Sequence, residues 1–141
     1  MPNRTPGTNA AIVREAFAAA ARGDREAAFR LIQPDASWQM IGLRPQDKRV
    51  HIGREEIWAY VGLLGEQIEG LDWELGDLDE IGDYVVARVR IKGRDRRTEE
   101  ELDVEFSSVI RFEGGRIAHA DNFEDHDEAV CDAELRLGAA G

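Results

Sequence analysis

One cysteine, three histidines and four prolines in 141 residues leave little room for several kinds of chemistry. Cys131 alone cannot close an internal disulfide, and no cysteine or histidine spacing matches a metal-ligand set. A glycine-rich phosphate loop is also missing. Basic residues are the minority: 18 Lys and Arg against 29 Asp and Glu give a formal charge of -11. A surface of that sign repels phosphate backbones and anionic headgroups, so neither nucleic acid nor membrane is an expected partner. No apolar run reaches transmembrane length, and Met1 to Gly7 lacks the apolar core of a signal peptide. The expectation is a soluble cytoplasmic protein.

What is present reads as one domain, long enough for a hydrophobic core. Residues 1–8, rich in Pro, Gly and Thr, form a lead-in expected to be disordered. From Asn9 to Arg22 an Ala-rich stretch places Ile12, Ala16 and Ala20 at helical spacing, beside Val13 and Phe17. Gly23 is a C-terminal cap, and Asp24 an N-cap for a short helix through Ile32, which Pro34 stops. A strand over Ala36–Ile41 puts Trp38 and Met40 on one face. The following loop carries Arg44, Lys48, Arg49 and His51, a basic patch able to pair with Asp47, Glu55 and Glu56 or to steer an anionic substrate. Gly53 opens a third helix with Ile57, Trp58, Val61 and Leu64 apolar at spacings of three and four, and beyond Gly70 only alternating strands remain. The tail, residues 129–141, is expected to begin a short helix near His126 and fray.

The closing strand, Arg116 to Asp125, follows a Gly114-Gly115 turn and carries His119, Asp121, Asn122 and Glu124 opposite an apolar neighbour. Polar groups are costly to bury on a sheet face, and they usually persist because they bind or catalyse. By alternation Asn122 and Glu124 share one face, and His119 and Asp121 the other; a one-residue bulge would exchange the two sets.

The order helix, Gly23-Asp24, short helix, Pro34-Asp35-Ala36, strand and Ile52-Gly53-Arg54-Glu55-Glu56-Ile57 helix resembles the nuclear-transport-factor-2-like superfamily. The hairpin Val109–Ile117 leading to Asn122-Phe123-Glu124-Asp125 carries the same resemblance, which spans roughly residues 9–128. This group includes ketosteroid isomerases, SnoaL-like polyketide cyclases, limonene epoxide hydrolases and scytalone dehydratases. The resemblance implies an α+β, cystatin-like fold: a cone-shaped, curved antiparallel sheet wrapped around a pocket, with three N-terminal helices on its concave face. It further implies a homodimer through the outer sheet face, and it calls for no metal or cofactor.

Carried over residue by residue, the relatives' acid–base groups are replaced. The isomerase base, tyrosine and protonated acid fall on Met40, Ala16 and Ser108, and the cyclase acid falls on Asn122. Glu124, Asp121 (after a bulge) and His51 are therefore the catalytic candidates, as groups able to move a proton. Trp38, Met40, Trp58, Phe106, Ser108 and Asn122 are the expected substrate-binding residues. The function this implies is cofactor-free acid–base chemistry (isomerisation, cyclisation, dehydration or hydrolysis) on a mostly apolar cyclic molecule. The alternative is a non-catalytic ligand-binding or dimerisation module of the same fold.

Overall fold

The computed structural model describes residues 8–39 and 50–140, so Met40, Arg44, Lys48 and Arg49 lie outside the described residues. The elements run α1 (Thr8–Ala21), α2 (Arg25–Arg30), β1 (Ile32–Gln39), β2 (Val50–Ile52), α3 (Arg54–Gln67), β3 (Ile68–Ile81), β4 (Tyr84–Asp95), β5 (Glu101–Glu113), β6 (Arg116–Phe123) and α4 (His126–Ala140). One six-stranded sheet has the order β2-β1-β6-β5-β4-β3. All neighbours are antiparallel except β1 and β6, which run parallel, so the sheet is mixed rather than wholly antiparallel. Register shifts in β3 between Glu69 and Asp72 and between Leu75 and Leu78 bend the long edge strand, as bulges do.

Local signals set the first helices. Gly23, at φ 72°, closes α1: its N–H donates to Ala20 O (3.1 Å) and the Asp24 N–H to Ala19 O (2.9 Å), the paired bonds of a left-handed helix stop. The Asp24 carboxylate accepts from the Ala27 N–H at 3.1 Å and so caps α2. Pro34 does not end that helix, which stops at Arg30; it sits in β1 within a register shift between Ile32 and Ser37, where a residue lacking an N–H is tolerated.

On the concave face Val85, Ala87, Val89 and Ile91 of β4 join Phe106, Ile110, Ile117 and Ala120 beneath Val13 and Ala16 of α1. The convex face is covered too. The tail that was expected to fray forms a 15-residue helix, α4, whose Ala129 and Ala133 pack on Val86 and Val109. Burying Val86 and Val109 contributes about 1.5–3 kcal/mol each, and the Arg136–Asp121 ion pair also ties α4 to the sheet.

Candidate functional site

The register fixes which side chains share the concave face. Trp38 of β1 pairs with His51 of β2 on one side and with Ala120 of β6 on the other. Asn122 pairs with Ser108 of β5 one step further along. A bulge does occur in β6, but early: His119 pairs with Arg111 and Ile117 with Phe112, leaving Ala118 as the extra residue. Alternation resumes after it, so Ala120 and Asn122 point inward and Asp121 outward.

Between α1, α3 and the β1–β6 pair lies a cavity of about 50 Å³, counted as space open to the centre of a water molecule. Its walls are apolar and include Ala16, Phe17, Ala20, Trp38, Trp58 and Trp73. Phe17 meets Trp38 at 6.3 Å and Trp73 at 6.4 Å between ring centroids, in tilted and edge-on arrangements favourable for aromatic pairs. Trp58 stands edge-on to Phe29 at 6.1 Å. Such a lining suits a flat, hydrocarbon-rich molecule.

Polar groups lie on β2 (His51), β6 (Asn122) and β5 (Ser108), on either side of Trp38. Its indole N–H donates to Asn122 Oδ1 at 3.1 Å. Ser108 is 0 % exposed and its Oγ has no hydrogen-bond partner among the described residues. His51 is 4 % exposed and stacks against Tyr60 with ring centroids 4.6 Å apart. Its Nδ1 lies 3.3 Å from Glu56 Oε1, close enough for an ion pair but not aligned as a hydrogen bond, and Nε2 has no partner among the described residues. Buried polar atoms without partners cost free energy, so this edge of the cone is poised to gain from a ligand that supplies the missing bonds.

Two of the expected acids lie elsewhere. Asp121, 8 % exposed, is on the convex face, where its carboxylate bonds the Arg136 guanidinium of α4 and meets His119 Nε2 at 3.0 Å. Burial works against the Arg136 charge, but the hydrogen bond and charge of Asp121 outweigh it and raise the guanidinium's pKa. His119 completes the cluster through Nδ1, 2.5 Å from Ser37 Oγ. Glu124 does not follow Asn122 into the cone, because β6 ends at Phe123 and the alternation ends with it. It is exposed and borders a separate polar groove of about 470 Å³ with Arg88, Ser107 and His126. Phe106 is a core residue at the edge of that groove rather than a wall of the apolar cavity.

Of the charge pairs open to the basic patch in the sequence, His51 with Glu56 is present. Phe17 and Ala20 were not foreseen as cavity walls, although helical spacing marked Ala20 as inward. Among the described residues no cluster of three or more His, Cys, Asp or Glu could hold a metal ion.

Comparison with known proteins agrees with this architecture. A family model described as the SnoaL-like domain matches residues 13–120. No curated protein matches. Bal32a, from a soil-derived mobile gene cassette, is 29 % identical, with 82 % of this chain and 88 % of that one covered and a TM-score of 0.75. An NTF2-like protein from Burkholderia thailandensis E264 is also 29 % identical, with coverage of 86 % and 93 % and a TM-score of 0.69. TerC, co-crystallised with polyporic acid, shares the fold at 16 % identity, with coverage of 91 % and 98 % and a TM-score of 0.69. On the strength of the family match over residues 13–120, this chain belongs to the SnoaL-like family, and it shares the NTF2-like fold.

Proposed function

We propose that the cone binds a small, mostly apolar cyclic molecule and processes it by cofactor-free acid–base chemistry of the isomerase, cyclase, dehydratase or hydrolase kind. The observation that carries this reading is the presence on one concave face of an apolar, tryptophan-walled cavity and of buried polar atoms, Ser108 Oγ and His51 Nε2, that have no partner among the described residues. The ring system of the ligand packs against Trp38, Trp58 and Phe17, and its oxygen lies at Asn122 and Ser108. TerC, a relative in fold, was crystallised with polyporic acid, a precedent for small-molecule binding in this architecture.

His51 takes the proton-transfer role. It is the buried histidine of the concave face, and histidine exchanges protons near neutral pH. Glu56 beside Nδ1 supplies the orienting carboxylate, which leaves Nε2 to take up or deliver the proton. Asp121 is already committed to Arg136, and Glu124 stands in solvent at the end of the sheet, so neither replaces it.

The test is to incubate the protein with a panel of cyclic ketones, alcohols and epoxides and follow product formation. A His51→Gln variant is expected to keep ligand affinity and lose about 10²–10⁴ in rate, the usual contribution of a general acid or base. Glu124→Gln is expected to leave the rate unchanged. Full turnover in His51→Gln would overturn the acid–base assignment. Binding of panel members with no turnover in the unaltered protein would overturn the catalytic reading and leave a binding module.

A further inference from the structure

We infer that Trp38 is a positioning residue whose indole N–H locks the Asn122 carboxamide, so that Asn122 Nδ2 and the Ser108 hydroxyl form a two-donor site for one carbonyl oxygen. The inference rests on the function proposed above and adds the substrate class to it: an apolar cyclic ketone or related carbonyl compound.

The Trp38 indole is a donor only. The atom facing it must therefore be the amide oxygen, and the 3.1 Å bond from Trp38 Nε1 to Asn122 Oδ1 fixes which way the carboxamide is turned. A free asparagine can present either its oxygen or its NH₂ group to a ligand; this one has its acceptor engaged and its donor left over. Asn122 Nδ2 makes no hydrogen bond among the described residues. Directly across the β5–β6 ladder stands Ser108, whose Oγ is buried and likewise unpartnered. Side chains so paired have Cβ atoms about 4.5–5.5 Å apart, close enough for both to donate to one oxygen between them. A carbonyl oxygen has two lone pairs and no proton, and matches two donors. A hydroxyl could accept from Asn122 Nδ2 only by turning its own proton to Ser108 Oγ, whereas a carbonyl takes up both donors at once. Asn122 is half-buried and Ser108 wholly buried, so the oxygen reaches Asn122 first and Ser108 last. Trp38 also walls the apolar cavity, and the same ring that holds the amide therefore packs the body of the ligand.

The test uses 1-indanone and its deoxygenated analogue indane as probes, with affinities from tryptophan fluorescence and, for carbonyl-¹³C indanone, the infrared carbonyl stretch of the bound ketone. Each hydrogen bond is expected to contribute about two- to tenfold to the ketone-over-hydrocarbon ratio. Trp38→Phe keeps an aromatic wall but frees the amide. It should lower that ratio about threefold and move the bound carbonyl stretch toward its value in apolar solvent, while indane binding changes little. Asn122→Asp keeps an acceptor for the indole and removes the NH₂ donor, and should lower the ratio with the fold intact. This second variant keeps the test open if Trp38→Phe proves unstable. A ratio and stretch unmoved in Trp38→Phe but altered in Asn122→Asp would overturn the lock while leaving the ligand site standing. Failure of both probes to bind the unaltered protein would overturn the proposed function and this inference with it.

Discussion

Ser107 and Ser108 are adjacent on β5, both essentially buried at 2 % and 0 % exposure, yet the same substitution should move stability in opposite directions at the two positions. Ser107 Oγ is 2.7 Å from His126 Nδ1 at the start of α4. Replacing Ser107 with Ala removes that bond and strands the ring nitrogen, for a loss of about 1 kcal/mol. Ser108 Oγ has no partner, so it carries the desolvation cost of a buried hydroxyl, about 1–3 kcal/mol, with nothing to offset it. Ser108→Ala abolishes that cost and leaves a void of roughly one oxygen atom, worth a few tenths of a kcal/mol at about 24 cal/mol per Å³. The net expectation is a gain of about 1 kcal/mol or more. For a chain of this size that is about 3 °C in Tm upward for Ser108→Ala and a similar fall for Ser107→Ala. Urea unfolding of the two variants, with m unchanged, measures the difference directly. Equal destabilisation by both would refute the reasoning, since it would mean that the Ser108 hydroxyl is satisfied in the free protein.

Other perturbations probe separate parts of the structure. Arg136→Met should cost about 3 kcal/mol by leaving the buried Asp121 carboxylate with His119 alone, and an added Asp121→Asn should recover much of it in a double-mutant cycle. Gly93→Ala should destabilise by about 1–3 kcal/mol in thermal unfolding, because its Cβ would stand 2.4 Å from Ile68 Cγ2 and 3.1 Å from Glu69 O. On the open half of the sheet, hydrogen bonds from Arg90 and Lys92 hold Asp103 and Glu74 below the usual carboxylate range. Their stabilisation is therefore present above the unfolded-state pKa values and lost as pH falls through the lower folded ones. Asp103→Asn should flatten the acid limb of the stability profile at low salt and change little at high salt, because the pair is exposed.

Features encoded by near neighbours in the chain were legible. Gly23 and Asp24 end one helix and begin the next through bonds spanning five residues or fewer, so sequence alone locates them. The inward direction of Trp38, Ser108 and Asn122 was legible too, because alternation survives as long as pairing is regular. It failed at Glu124, where the strand had already ended; it put Asp121 on the outer face, where it lies, but could not supply its partner Arg136, 15 residues away on a helix read as a fraying tail. That helix was hidden because its fully buried residues are two alanines, Ala129 and Ala133, whose burial depends on the distant Val86 and Val109. The parallel pairing of β1 with β6 was likewise invisible, since nothing local specifies a partner some 80 residues on.

The central claim, that the cone receives a carbonyl compound between Trp38, Asn122 and Ser108, is tested most directly by a crystal structure with bound 1-indanone. The account predicts the rings against Trp38 and the ketone oxygen within about 3.2 Å of both Asn122 Nδ2 and Ser108 Oγ. A ketone lodged instead in the polar groove beside Glu124 and His126, with Ser108 Oγ still unpartnered, would contradict it.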